Sequence, residues 1–229
     1  ADLSTGLLLF VTSVLMMFIG RVSMKYVVML VFSGVILLGI LFLLGSVFPE
    51  AFRIETWMSR IQDFISGSEG HDQVIQSKIA IANGSWVGLG PGHSLQKNFL
   101  PYAYADFIYA IICEEYGVFG GLLIIGVYLT LLFRCIKIVT QCPKAFGAIL
   151  AMGLCLNIVI QAFANIAVSV QLVPVTGLTL PLVSMGGTSL LFTSMSIGVI
   201  LSVSRYVEQA TQQRLALEKL EEKENESDN

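Results

Sequence analysis

The chain has 229 residues, 55% of them hydrophobic and only 13% charged, and its formal net charge is −3. Soluble domains usually carry about 25% charged residues. From Ala145 to Ser204 there is no Asp, Glu, Lys, Arg or His, which excludes a water-soluble fold and fits a bilayer core, where every charge is costly.

A spanning helix needs roughly 20 mostly apolar residues, and five stretches qualify, at about 3–20, 26–48, 116–134, 145–167 and 183–204. Helices are required because lipid-exposed backbone must satisfy its own hydrogen bonds. The expected fold is all-α: a polytopic integral membrane protein with about five transmembrane helices. Residues 1–204 form its membrane domain and 205–229 a hydrophilic tail. Basic residues set the orientation. Arg21 and Lys25 lie between the first two spans, Arg134, Lys137 and Lys144 between the third and fourth, and Arg205, Arg214, Lys219 and Lys223 after the fifth. All fall on one side, which positive-inside statistics make cytoplasmic. The C-terminus then faces the cytoplasm, and the long segment 49–115 is extracytoplasmic. The chain begins with Ala, with almost no leader before its first span, so a longer protein with an N-terminal part missing here is expected.

Loops as long as 49–105 are usually functional or disordered, and this one lacks a disordered composition. In AFRIETWMSRIQDFI, Ile54, Trp57, Met58, Ile61, Phe64 and Ile65 recur at helical spacing, with Arg53, Arg60 and Asp63 on the other face. Such a helix either lies flat at the membrane surface, Trp57 downward, or packs on the protein's own outer face. After the polar break SGSEGHDQ, the stretch VIQSKIAIANGSWVGLGPGHSLQKNFLP is apolar but interrupted by Gly84, Gly88, Gly90 and Gly92. It reads as a re-entrant or surface-hugging segment, tolerated where protein covers its backbone. Its Gly-x-Gly-Pro-Gly run follows no strand and is not a nucleotide-binding fingerprint.

In YAYADFIYAIICEEYGVFGG, Asp106 sits among Tyr102, Tyr104, Phe107 and Tyr109, with Glu114 and Glu115 about two helical turns later. Two readings stand on spacing alone. An acid at an apolar membrane border is a functional-site candidate, and partial desolvation there suits a general base. An Asp before an apolar helix is also a common N-cap, its carboxylate accepting orphan backbone N–H groups.

Asn157, Gln161 and Asn165 form a stripe along one face of the fourth span. Amides do not face lipid, so the stripe is either interhelical glue or a substrate path. In VPVTGLTLPLVSMGGTS, Pro174 and Pro181 break helix, while Gly177, Gly186 and Gly187 permit close backbone approach. A broken, uncharged loop of this kind either shapes a cavity beside a functional site or serves packing alone. Cys113, Cys135, Cys142 and Cys155 have no metal spacing and read as packing residues; no metal ligand is assigned. The tail LEKLEEKENESDN reads as a solvated, frayed end, and Arg205–Leu220 before it can continue the fifth span as a helix.

The stretches ADLSTG, QSKIAIANGSWVGLGPGHSLQKNFLP, DFIYAIICEEYGVFGG, QAFANI and PVTGLTLPLVSMGGTSLLF resemble, in order and spacing, the SEDS family of bacterial peptidoglycan glycosyltransferases. The match is closest to its division-type branch and covers most of the chain except the tail. PVTGLTLP followed by Ser-x-Gly-Gly-[Thr/Ser]-Ser is its most specific part. The resemblance implies that these are the last five of about ten spans. It implies polymerisation of lipid II, an undecaprenyl-diphosphate-linked disaccharide-peptide, on the outer face of the bacterial cytoplasmic (inner) membrane. The family's essential aspartate ends a Pro-Glu-x-His-Thr-Asp element. That element reads Pro101-Tyr102-Ala103-Tyr104-Ala105-Asp106 here, so Glu, His and Thr are replaced by Tyr102, Tyr104 and Ala105 while Asp106 keeps the carboxylate. Asp106 thereby takes the catalytic role of general base in an inverting transfer.

A leaving diphosphate calls for positive charge. Lys97 and Lys78 are the candidates in the matching stretch, each also readable as a surface lysine meeting anionic headgroups. Further substrate-binding candidates are Gln76, Ser77, Gly90 and Gly92, then Glu115, then Thr176, Ser184, Gly186 and Gly187. The only cofactor considered is a divalent cation, Mg or Mn. The implied partners are a class B penicillin-binding protein transpeptidase and other divisome proteins, with no nucleic acid. Two rival functions stay open: a lipid II flippase using the amide stripe, and a non-catalytic divisome scaffold.

Overall fold

A computed structural model describes residues 3–47, 72–99 and 104–227. The amphipathic stretch expected at 51–65, with Arg53, Trp57 and Arg60, lies outside the described residues, as do Pro101, Tyr102 and Ala103 of the aspartate element. Among the described residues all regular structure is helical: α1 (Leu3–Ile19), α2 (Met24–Val47), α3 (Asp72–Gly84), a 3-10 turn (Gln96–Asn98), α4 (Ile108–Gln141), α5 (Ala145–Ser169) and α6 (Gly187–Ser227).

The chain is a polytopic membrane protein. Among the described residues, α2, α4, α5 and the Gly187–Leu220 part of α6 are long and apolar enough to cross a bilayer. The expected first span, α1, is equally apolar but has 17 residues, about 26 Å at 1.5 Å per residue, at the short end of what spans a membrane. Lipid-facing character is plainest on α2, where Val28, Met29, Phe32, Val35 and Leu37 are all exposed.

Several boundaries differ from the sequence reading, and α4 also runs past the expected 134 to Gln141. Helix α4 begins at Ile108, but its φ and ψ leave the helical region at Gly117 (φ 68°, ψ −168°), next to the start expected at 116. Helix α6 begins at Gly187 and not at 183, because the preceding residues bond elsewhere: Ser184 Oγ and Met185 N both donate to the 104–105 loop. The tail is not frayed as expected; α6 runs unbroken to Ser227. Residues 209–224 are dominated by Ala, Leu, Gln, Glu, Lys and Arg, all strong helix formers, and Arg214 pairs with Glu218 one turn on at 3.0 Å.

Helix α5 is the centre of the packing and touches α1, α3, α4 and α6. Its small residues Ala151, Cys155 and Ala162 are fully buried, which lets the neighbouring helices approach closely. At one end Cys135, Ala151, Cys155, Val159 and Ile200 join α4, α5 and α6. Nearer the other end, Tyr109, Cys113, Tyr128, Ile158, Ala162 and Ile166 pack around Leu180 of the α5–α6 loop. Three of the four cysteines are buried free thiols, in the packing role expected of them. Lys144, just before α5, lies 5.1 Å over the Tyr206 ring, at the end of α5 opposite Asn165.

Candidate functional site

Asp106 is half-buried on the loop leading into α4. The helix N-cap position falls on Phe107 (φ −115°, ψ 20°), which makes no side-chain cap bond, so the N-cap alternative for Asp106 is not what the helix start shows. The reason is packing: the Phe107 ring is 1% exposed and seats against Ile111 and Val168, which sets where the helix turns in. The loop of Asp106 is bonded through the backbone. Three successive carbonyls accept hydrogen bonds from outside the loop: Tyr104 from Met185 N at 2.9 Å, Ala105 from Ser184 Oγ at 2.6 Å, and Asp106 from Asn165 Nδ2 at 2.8 Å.

The donors are themselves fixed. Asn165 Nδ2 also donates to the Leu178 carbonyl at 2.7 Å. One amide nitrogen has two hydrogens and both neighbours are carbonyls, so the amide has a single sensible orientation. One turn earlier, Gln161 Nε2 donates to the Thr179 carbonyl at 2.9 Å. Two of the three stripe amides therefore fasten the α5–α6 loop to α5, a tie from helix to loop where the glue reading had one between helices; Asn157 leaves a buried Oδ1 with no partner among the described residues. The stripe also runs one turn further than the sequence reading took it. Ser169 Oγ donates to the Asn165 carbonyl at 3.0 Å, and Ser77 Oγ of α3 donates to the Ser169 carbonyl at 2.9 Å. The spacing of four from Asn165 to Ser169 was the available signal.

A second constellation surrounds Glu114, which is fully buried. Its carboxylate accepts from Ser94 Oγ, from Leu95 N and Gln96 N at 3.3 Å each, and from Asn83 Nδ2 at 3.5 Å. The turn before this cradle is stitched to the break in α4. Leu89 N and Gly90 N donate to the Glu114 and Glu115 carbonyls at 2.9 Å, and Val118 N donates to Ser85 O at 3.1 Å. Such an approach needs glycine on both sides. A Cβ on Gly88 (φ 84°) would stand 2.2 Å from the Glu115 carbonyl oxygen, and one on Gly117 would stand 2.3 Å from that of Trp86. Lys97 lies at the cradle's edge, its Nζ donating to the Gly92 carbonyl at 2.7 Å.

Most of the sequence candidates fall into these two groups, while Lys78 and Gln76 of α3 are tied to neither by a side-chain hydrogen bond among the described residues. Ser184 joins Asp106; it is buried, with Leu180 N donating to its hydroxyl at 2.7 Å. Gly186 and Gly187 follow it where α6 begins, Gly186 O accepting from Leu190 N. Thr176 is half-buried on the same loop, its Oγ1 without a partner among the described residues. Gly90, Gly92, Lys97 and Glu115 belong to the Glu114 region, where Gly90 (φ 99°) and Gly92 (φ 78°) shape the turn. Glu115 is half-buried, and its carbonyl is what the turn uses. On α3, Lys78 is exposed and Gln76 half-buried, whereas Ser77 is fully buried with its hydroxyl committed to Ser169. Sequence reasoning missed the part played by Ser94 and Glu114. Among the described residues no three His, Cys, Asp or Glu side chains are grouped to hold a metal ion.

Fold and site together define a multi-pass membrane protein in which two loops and a buried polar stripe converge on one acidic residue. The profile of the FtsW/RodA/SpoVE family, described as cell cycle protein, matches residues 1–209, and the chain belongs to that family. Stage V sporulation protein E of Bacillus subtilis is 39% identical over 206 residues, covering 90% of this chain and 55% of that protein. The probable peptidoglycan glycosyltransferase FtsW of Marinobacter nauticus is 42% identical over 173 residues, 73% of this chain and 43% of its own. Its counterpart in Alkalilimnicola ehrlichii is 37% identical over 218 residues, 93% of this chain and 53% of its own. The chain thus spans about half the length of the curated relatives it matches. A solved chain, described under the structural coordination of polymerization and crosslinking by a peptidoglycan synthase complex, matches with TM-score 0.60 at 23% identity. It covers 85% of this chain and 53% of that one, a likeness of fold.

Proposed function

We propose that the full-length protein is a peptidoglycan glycosyltransferase of the division type, polymerising lipid II on the outer face of the bacterial cytoplasmic membrane with Asp106 as general base. Family membership and the names of the FtsW relatives support the reaction class. The observation that carries the assignment of Asp106 is the convergence on its loop of α5 and the α5–α6 loop through three successive carbonyls. The orientation follows from the basic residues: Arg134, Lys137, Lys144 and Arg205 lie at the end away from Asp106 and face the cytoplasm.

In this reaction the Asp106 carboxylate takes the proton of the sugar 4-hydroxyl of one lipid-linked disaccharide-peptide. The freed oxygen attacks the anomeric carbon of the growing strand. The bond from that carbon to undecaprenyl diphosphate breaks as the β-1,4 bond forms, and the diphosphate leaves with the electron pair. An α-linked donor and a β-linked product require inversion, hence one in-line displacement. Lys97 and Lys78 neutralise the leaving diphosphate. Lys97 has two ammonium hydrogens beyond the one given to Gly92, and Lys78 is exposed. Gln76, Gly90, Gly92, Glu115, Thr176, Gly186 and Gly187 are the further substrate-binding candidates of this reading. A class B penicillin-binding protein transpeptidase, with other divisome proteins, is the partner that would cross-link the strand.

The test is radiolabelled lipid II supplied to purified full-length protein with its transpeptidase partner. Polymer is expected. Lipid scrambling in liposomes without polymer would replace this reading with transport, and neither activity would leave a scaffold.

A further inference from the structure

We propose that Asn165 and Ser184 are positioning residues for Asp106, acting through the backbone carbonyls of its loop. The inference rests on the reading of Asp106 as general base and adds how that base is held.

Loop carbonyls ordinarily face water, yet those of Ala105 and Asp106 meet side chains that are 3% and 1% exposed, Ser184 and Asn165. A buried amide or hydroxyl is unfavourable unless it is bonded. Asn165 satisfies only its donor side. Its Nδ2 reaches Asp106 O and Leu178 O, while its Oδ1 has no partner among the described residues. A residue needed only for packing would be better apolar, without an orphan acceptor. Its donor function is what the position uses.

Ser184 is constrained as tightly. A hydroxyl has one hydrogen, and with Leu180 N donating to this oxygen, that hydrogen goes to Ala105 O. Its turn includes Leu182 at φ 66°, a left-handed backbone that a leucine rarely adopts, closed by Ser184 N on Leu180 O at 2.9 Å. Tyr128 OH of α4 donates to the Pro181 carbonyl in the same turn. Asn165 is braced from its other side by the Ser77–Ser169 chain of hydroxyls.

This arrangement accounts for the altered aspartate element. A loop held by its carbonyls does not depend on the side chains at 104 and 105, so replacing His and Thr by Tyr104 and Ala105 leaves the carboxylate in place. Displacement of a catalytic group by about 1 Å costs on the order of 100-fold in rate.

The experiment compares full-length wild type with Asn165→Leu, Ser184→Ala and Ser184→Thr, each with the transpeptidase partner. Lipid II polymerisation is read as separate kcat and KM, and hydrogen exchange is followed in the peptide spanning Tyr104–Ala110. Asn165→Leu and Ser184→Ala are expected to lower kcat roughly 10- to 100-fold with KM little changed and exchange of the peptide faster. Ser184→Thr, which keeps the hydroxyl, is expected to restore both. Should Asn165→Leu fail to fold, the Ser184 pair decides alone. Unchanged kcat in Ser184→Ala, unchanged exchange, or a Ser184→Thr as impaired as Ser184→Ala would overturn the proposal. A wild type that makes no polymer would instead sink the function, while exchange in the variants still reports whether these two residues hold the loop.

Discussion

Asp106 and Glu114 are two acids on one stretch of chain, about two helical turns apart, and the fold grips them in different ways. At Glu114 it grips the carboxylate: a serine hydroxyl, two backbone N–H groups and an asparagine amide converge on a side chain with no exposed surface. At Asp106 it grips the peptide, through three carbonyls in a row, and the residue is half-buried. The first pattern makes an acid part of the scaffold. The second leaves an acid half-buried on a loop whose backbone is fixed.

The severest challenge to that contrast is Glu114→Ala. It strands the buried Ser94 hydroxyl, at about 1–3 kcal/mol, and takes the carboxylate away from the part-buried Leu95 and Gln96 amides. Thermal unfolding of the full-length protein in detergent should move down sharply, with Glu114→Gln in between. A wild-type midpoint for Glu114→Ala would mean the cradle is not structural. Next in size is Lys97→Ala. A charge-assisted hydrogen bond contributes about 1.5–3 kcal/mol, so KM for lipid II should rise on the order of tenfold while the melting midpoint barely moves. An unchanged KM would make Lys97 a surface lysine. Ser77→Ala should lower stability by about 1 kcal/mol without altering KM, because its hydroxyl is already committed to Ser169; a large KM effect would return it to the substrate site. The smallest effect is expected for Tyr104→His, within about 0.5 kcal/mol in stability. This residue contributes its carbonyl to the loop and is 49% exposed, and a large change in kcat would contradict the backbone account.

The helices of the membrane domain were legible in the sequence because long apolar runs such as Tyr26–Val47 leave the chain few alternatives. The break in α4 was not foreseen: a span start was expected at 116, whereas the helix begins at Ile108 and leaves helical geometry at Gly117. What periodicity could not carry was the return of residues 85–97 onto α4. That fold rests on a reciprocal close approach of Gly88 and Gly117, two positions far apart in sequence that share no repeat. For the same reason Glu115 was chosen over Glu114. Adjacent glutamates look alike in a string, and only the placement of Ser94 and its neighbours separates a carboxylate the fold uses from one whose carbonyl it uses. Asp106 and Asn165 were each visible, but their meeting depends on where the α5–α6 loop lands.

The most direct measurement is lipid II polymerisation by the full-length protein with its transpeptidase partner, wild type beside Asp106→Asn, with thermal unfolding followed in parallel. General-base assistance contributes about 10²–10⁴ in rate, so the variant should lose that factor at an unchanged melting midpoint while wild type makes polymer. Equal polymer from both would contradict the assignment and return Asp106 to a structural role at the entrance of α4.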